Sequence, residues 1–445
     1  MISELKNSLK AYPGSIRRVG RDIKLESFLK VIPEQSPVLA WGGRQSRFAY
    51  LALELEEKPL ADALAEPLGK HLHHSNGKAQ SCQEQAFLGG WVGVNSYDDY
   101  APQPSQSPSS RIFWVNRLLV FDQVHGEIYE ACLDAKARAP YQLNGQRLAE
   151  LALNRQERKK NLHQWLWQAK QSQKHYLTLV ENCLNDIRRG RYYQINLLCY
   201  FELLSQPDFC DWMERWSQYA GPFSSLLRLP GDCEIYSFSP ERFVSFYPGQ
   251  NGLEILTEPI KGTMPVYAEE AKNRWAMQQL QGSAKDRAEL HMIVDLLRND
   301  LFRICRPASV HVSDPGTIHS FKNVHHLIAK ITGSLRSDLT LGSMLQALCP
   351  GGSITGAPKI EVMKAIQTYE GRSRGFFMGN FFFWAPNQSF FDSSILIRTA
   401  QRLANGPMEF AAGSGLVIRS DPQQEFIEIQ AKSRVLIDAE KSLGT

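Results

Sequence analysis

The 445-residue chain predicts an α+β fold built on large, mainly antiparallel sheets flanked by helices. Three observations carry that expectation. Short runs of β-type composition are joined by short turn clusters. A few longer segments with helical spacing are inserted among them. A regular strand–helix–strand period is missing, as is a G-x-G-x-x-G turn, which argues against a dinucleotide-binding sheet.

Taken in order, residues 38–41, 112–115 and 118–121 read as strands of an N-terminal β-rich region over 1–150. Residues 103–111, with Pro104, Pro108 and four serines, read as an exposed loop. Residues 136–165 are polar, with Arg155, Glu157, Arg158, Lys159 and Lys160 clustered, and read as a connecting helix or a linker. The chemistry falls in a second domain over 166–440. There Tyr176, Leu179, Val180, Cys183 and Ile187 share one helical face, ended by a turn at Gly190, and 226–229, 234–238 and 394–398 read as strands. Ser283 caps a helix whose Leu290, Ile293, Val294 and Leu297 lie on one face, with Asp286 placed for a capping box. Asp421-Pro422 opens another, with proline at its first position. No internal repeat is present.

Composition excludes several classes. Hydrophobic content of 43% and charged content of 22% are those of a soluble globular chain. A net charge of +4, with both signs interspersed, is no nucleic-acid footprint. Eight scattered cysteines (Cys82, Cys132, Cys183, Cys199, Cys210, Cys233, Cys305, Cys349) form no C-x-x-C pair, and the N-terminus has no apolar signal core. Both point to a reduced, cytoplasmic protein. The longest apolar stretch, 375–385, is too short to cross a bilayer as a helix, so no membrane partner is expected.

Lys261, in Pro259-Ile260-Lys261-Gly262-Thr263, follows an alternating segment (Leu253, Ile255, Thr257) and reads as projecting from a short constrained connection. An amine becomes a nucleophile near neutral pH only where burial or cationic neighbours lower its pKa. Alone, the string is better read as a surface lysine on a turn. Two helices each present a pair of acids three residues apart, Asp286 with Glu289 and Glu425 with Glu428. Such pairs can converge on Mg²⁺, a cation that takes oxygen ligands, or can merely complement the helix dipole. The run from Pro350 to Lys359 is rich in glycine and hydroxyls and leads into a helical segment, so its N–H groups can hold an anion or simply form a capped turn. Ala357-Pro358 interrupts any Walker A pattern, which leaves a carboxylate as the better anion.

Read together, Ser239-Pro240-Glu241-Arg242-Phe243, 259–263, Asp286-Arg287-Ala288-Glu289, 294–300, Val324-His325-His326-Leu327, 351–359, 395–399 and 413–416 resemble the chorismate-utilising enzymes. The likeness is strong over about 170–440 and faint before it, at Gly89-Gly90 and Tyr97-Asp98. The lysine of P-I-K-G-T, with Tyr193-Gln194-Ile195-Asn196 and residues 283–287, is similar to the aminodeoxychorismate synthase component I branch. Anthranilate synthase large subunits usually carry alanine at the position of Lys261.

The resemblance implies a chorismate-binding fold in which Lys261 adds to C2 of chorismate, Glu241 protonates the leaving C4 hydroxyl, and ammonia then attacks C4. It implies Mg²⁺ on Glu289 and Glu428 with Glu425 close by. His326 and Ser353 would lie at the ring, Arg398 would grip the enolpyruvyl carboxylate, and the backbone of Gly413-Ser414-Gly415 would approach the same group. Two departures stand out. Phe383 lies where a tyrosine is usual, and Leu39-Ala40-Trp41-Gly42 replaces the L-L-x-S signature of a tryptophan pocket. No glutaminase elbow or pyridoxal-phosphate lyase segment is evident, so ammonia is expected from solution or from a separate glutamine amidotransferase subunit. The rival expectations are anthranilate synthase component I and a non-catalytic chorismate-binding subunit.

Overall fold

The computed structural model describes residues 15–437 apart from 34, 44–45, 70–85, 103–108, 135–140, 143, 154–164 and 321–323. Cys82, the charged cluster at 155–160 and most of the loop at 103–111 lie outside the described residues.

Every described strand pairing is antiparallel, as the short connections require. One ladder runs through Phe48–Glu57, Val38–Trp41, Ser225–Leu229, Cys233–Ser237, Thr399–Leu403, Glu409–Val417 and Gln194–Leu203. A second runs through Gly90–Asn95, Asn380–Ala385, Phe390–Ile395, Arg242–Gly249, Gly252–Thr257 and Val324–Ser334, with Ile260–Pro265 and His311–Ser320 beside the last. Strand Arg111–Asp122 belongs to both. Along one edge its first half pairs with Gly90–Asn95 and its second half with Glu127–Cys132.

Side-chain alternation along these strands makes three apolar layers. Phe48, Tyr50 and Ala52 face the space between the sheets, while Ala49, Leu51 and Leu53 face outward. Phe381 likewise points inward, and Phe382 and Trp384 outward. Helices Gln173–Arg188, Phe209–Tyr219 and Pro422–Ser433 cover the first sheet through Tyr176, Trp212 and Phe426. Ala284–Phe302 and Leu341–Leu348 cover the second through Leu290, Ile293 and Leu345. Fully burying one such aromatic or aliphatic side chain contributes about 1.5–3 kcal/mol.

The helix starts are those the sequence indicates, except that the Ser283 N–H turns back to the Leu280 carbonyl at 3.4 Å and not to Asp286, so the capping box is half formed. Ser283 accepts from the Asp286 backbone at 3.2 Å, and Asp421 accepts from Gln424 at 2.9 Å with Pro422 at the first position. Three expectations change. The runs at 112–115 and 118–121 are one strand, Arg111–Asp122, continuous across the two sheets. The strand expected over 394–398 is Phe390–Ile395; beyond it the Ile397 N–H turns back to the Ile395 carbonyl at 2.9 Å, and Arg398 follows with a left-handed φ of 50°. Lys261 lies within a strand, Ile260–Pro265, rather than on a turn, and its constraint comes from a bulge at Gly262. Among the described residues the seven cysteines are free thiols, and no helix is long and apolar enough to cross a membrane.

Candidate active site

The site forms where the first ladder opens. Thr399–Leu403 pairs with Glu409–Val417 only as far as Ala411, so beyond it that edge of Gly413-Ser414-Gly415 has no strand partner among the described residues. Unpaired backbone groups there can meet a ligand. Lys432, reaching back from helix Pro422–Ser433, donates to the Gly413 carbonyl at 2.9 Å. Gly413 leaves room for its neighbours: a Cβ would stand 2.6 Å from Leu198 Cδ2 and 2.8 Å from Asn196 Oδ1, and both side chains would have to shift.

Lys261 reaches this place from the second ladder. Gly262 bulges with φ of 64°, and a Cβ on it would meet Leu280 Cδ1 at 2.6 Å and Asp286 Cγ at 3.0 Å. The bulge therefore seats the lysine strand directly on the start of the helix that carries Glu289. Lys261 is half-buried. Its charge acts on Glu241, Glu289 and Glu428, which draws together residues spread over three elements.

Glu241 is held by its neighbours. Arg242 forks onto Asp392 at 2.9 and 3.1 Å and also donates to Glu258, and the Glu241 backbone N–H donates to Ser239 Oγ at 3.3 Å. Burial pushes the Glu241 carboxyl up to about 7, against the opposing pull of Lys261, Lys432 and Arg398. Burial also raises Glu289, with Lys261 and Lys285 opposing. Glu428 differs. Burial pulls it up, but Lys432 at 2.7 Å, with Lys261 and Lys285, outweighs that and holds it below the ordinary carboxylate range. His326 is pushed down by burial, with the Gly262 carbonyl opposing, and its Nδ1 lies 3.0 Å from Thr263 Oγ1. Arg398 is near enough to affect both Glu241 and His326.

Ser353 sits half-buried in the turn Gly352–Ile354, wedged against the same helix: a Cβ on Gly352 would be 2.4 Å from Leu296 Cδ2. Arg374, 1% exposed, fastens this loop by donating to the Ile354 carbonyl at 3.2 Å and the Asn196 carbonyl at 2.7 Å, with Glu370 as its buried counter-charge. Lys359, which a phosphate loop would need free, is bound to Asp300 at 2.8 Å.

Some expected residues are placed elsewhere. Glu425 is 4% exposed and accepts from the Ser414 hydroxyl. Ser414 alternates with Ala412 and Leu416, which face the helix-covered layer, so only its backbone borders the open edge. Phe383 points between the sheets, 5.7 Å from the Trp41 ring and 5.3 Å from that of Phe87, so neither it nor Trp41 joins the lysine site. Sequence reasoning missed Lys432 and Arg374. For Lys432 the signal was present, one helical turn after Glu428. For Arg374 only the fold brings the partners together. Gln194 and Asn196 also lie here, both buried, with Gln194 Nε2 and Asn196 Oδ1 lacking hydrogen-bond partners among the described residues.

Comparison with known proteins gives the family and the fold. The profile of the family described as chorismate binding enzyme matches residues 36–438. The chain is 38% identical over 263 residues to aminodeoxychorismate synthase component 1 of Salmonella typhimurium, covering 59% of this chain and 56% of that protein. It is 36% identical over 281 residues to the Escherichia coli protein of the same name, covering 62% and 60%. The matches thus span less than two thirds of either relative. Among solved structures, anthranilate synthase component I from Streptococcus pneumoniae superposes with a TM-score of 0.70 at 24% identity, covering 94% of this chain and 98% of that one, a likeness of fold.

Proposed function

The chain belongs to the chorismate binding enzyme family, and on that premise we propose that it is an aminodeoxychorismate synthase component I. In this reading it converts chorismate and ammonia to 4-amino-4-deoxychorismate, the precursor route to p-aminobenzoate and folate. Ammonia comes from a separate glutamine amidotransferase subunit, and the protein works in the cytoplasm. Residues 1–150 complete the scaffold and 166–440 carry the chemistry. The single observation that supports this most is that Lys261 lies near enough to Glu241, Glu289 and Glu428 to act electrostatically on all three.

The lone pair of Lys261 Nζ forms a bond to C2 of chorismate. The C1=C2 bond shifts to C1=C6 and the C5=C6 bond to C4=C5, the C4–O bond breaks, and Glu241 gives its proton so that the hydroxyl leaves as water. Ammonia then attacks C4, both double bonds shift back as the C2–N bond breaks and returns the lysine, and the surplus ammonium proton passes to the Glu241 carboxylate. Arg398 pairs with the enolpyruvyl carboxylate as a planar fork beside the open Gly413–Gly415 edge. His326 and Ser353 border the ring.

Glu289 and Glu428 fit Mg²⁺: they face each other closely enough for Glu428 to raise Glu289, and they are oxygen donors. The described residues form no group of three or more metal-ligating side chains, and Mg²⁺ commonly binds through one or two carboxylates and keeps several waters. Glu425, committed to Ser414, is left out of this set. When bound, the metal supplies Lewis-acid stabilisation of the ring carboxylate.

The test omits ammonia. Incubation with chorismate and Mg²⁺ alone is expected to leave a covalent adduct on the parent protein, read by intact mass and absent from Lys261→Ala. An equal adduct on the alanine variant would remove Lys261 as nucleophile. With ammonium added, anthranilate as the product, or no turnover, would overturn the assignment.

A further inference from the structure

One edge of strand Gln194–Leu203 pairs with Glu409–Val417, which sets Leu198, Leu197 and Asn196 opposite Gly413, Ser414 and Gly415. The other edge is patched. It pairs with Gly356-Ala357 at Gln194 and Ile195 and with Trp167–Ala169 from Phe201 on, and between them it has no strand neighbour among the described residues. A buried ion pair fills that gap. Arg374 donates to the Asn196 carbonyl at 2.7 Å, while Glu370 accepts from the Leu198 N–H at 3.0 Å and the Tyr200 hydroxyl at 2.6 Å. Two bonds of 2.6 and 3.0 Å join the pair, and both side chains are 1% exposed. The same guanidinium reaches the Ile354 carbonyl at 3.2 Å, in the turn that carries Ser353. Arg374 is itself seated by the N-terminal region. Asp98 accepts from the Arg374 and Gly375 backbone N–H groups at 3.4 and 2.6 Å, and the guanidinium lies 4.7 Å from the centre of the Tyr97 ring.

A buried ion pair is weak evidence of stability, because desolvation offsets the attraction and an apolar pair of similar volume often serves a core as well. The use of this pair is therefore to be sought in what it joins. A planar fork reaches carbonyls on two different segments at once, a geometry that an ammonium on a flexible stem does not hold. One segment is the turn with Ser353, and the other is the strand that backs Gly413–Gly415. In the reaction proposed above, on which this inference rests, these are two walls between which chorismate lies. We propose that Arg374 is a positioning residue that sets the spacing of the two walls, with Glu370 as its counter-charge. It touches neither substrate nor reacting atoms. Lys261 and Glu289 stand on other elements, so the tie governs how tightly chorismate is held and leaves the bond-making step alone.

The experiment uses the full chain with chorismate, Mg²⁺ and saturating ammonium chloride, and reads chorismate KM, kcat and melting temperature. In Arg374→Met the chorismate KM is expected to rise roughly 10- to 100-fold, the worth of one hydrogen bond to a charged group. Its kcat is expected to stay within about threefold of the parent value, the pattern of lost uniform binding. Its melting temperature is expected to fall, because Glu370 is left buried without its partner. Arg374→Met combined with Glu370→Gln removes that charge and keeps an oxygen for the Leu198 N–H. The double variant is expected to regain melting temperature while its KM stays raised. Arg374→Lys keeps the charge without the fork, and is expected to raise the KM at a melting temperature near the parent's, so the test does not depend on a methionine variant folding. A parental chorismate KM in Arg374→Lys or in the double variant overturns the inference. So does a KM that follows melting temperature across the three variants, which would mark a structural role, or a lower kcat at unchanged KM, which would assign the pair to the chemical step. A parent protein that neither binds chorismate by calorimetry nor converts it removes the reaction itself, and that failure is recognised without any variant.

Discussion

Glu241 and Glu428 are the same residue type among overlapping cations, and they move in opposite directions. Lys261 and Lys432 act on both. For Glu241 desolvation outweighs these charges and Arg398, so the carboxyl keeps its proton near neutral pH, as a general acid requires. For Glu428 the direct contact with Lys432, helped by Lys261 and Lys285, outweighs burial, and it stays an anion suited to a cation. The ratio of the parent adduct rate to that of Glu241→Gln, in which every other group cancels, is accordingly expected to fall by about tenfold per pH unit above the Glu241 pKa. Below that pKa Glu241→Gln is expected to be slower by roughly 10²- to 10⁴-fold. Stopped-flow traces across pH check this; a ratio that does not change with pH would assign the proton to another group. The stability sign follows from the raised folded pKa. Stability from Glu241 is fully present below its unfolded pKa and is lost as pH rises through about 7.

At the scale of elements, the bulge at Gly262 decides where the lysine points. The alternation through Leu253, Ile255 and Thr257 made a strand legible, and the turn-capable neighbours of Lys261 suggested constraint. The bulge itself depends on pairing with Val324–Ser334, where the register slips between Lys261 and Thr263, and no local string encodes a partner's register. Gly262→Ala would hold alanine in the left-handed region and press its Cβ on Leu280 and Asp286. We expect a loss of about 1–3 kcal/mol from strain and overpacking, read by denaturant titration. The adduct rate should fall further than folded fraction explains, because the strand must move away from the helix bearing Glu289. Unimpaired adduct formation in a folded Gly262→Ala protein would mean that the bulge does not aim Lys261.

Across the whole molecule, the two sheets are shared between early and late chain. Val38–Trp41 pairs with Ser225–Leu229, and Gly90–Asn95 pairs with Asn380–Ala385. The aromatic layer between the sheets mixes Trp41, Tyr50 and Phe87 with Phe381 and Phe383. Residues 1–150 and 166–440 are therefore expected to unfold together, as a single calorimetric transition with matching calorimetric and van't Hoff enthalpies. Two resolved transitions would show that the segments hold separate cores. Short contiguous strings sufficed to indicate the α+β class, the capped helices, the lysine, the acids and the glycine-rich loop, because spacing and capping act between near neighbours. Packing alone sorted Glu428 into the site and Glu425 onto Ser414, brought Lys432 and Arg374 to it, and left Asn196 Oδ1 without a donor among the described residues. Those outcomes depend on how a helix sits over a sheet edge, and that is set by contacts between residues hundreds of positions apart.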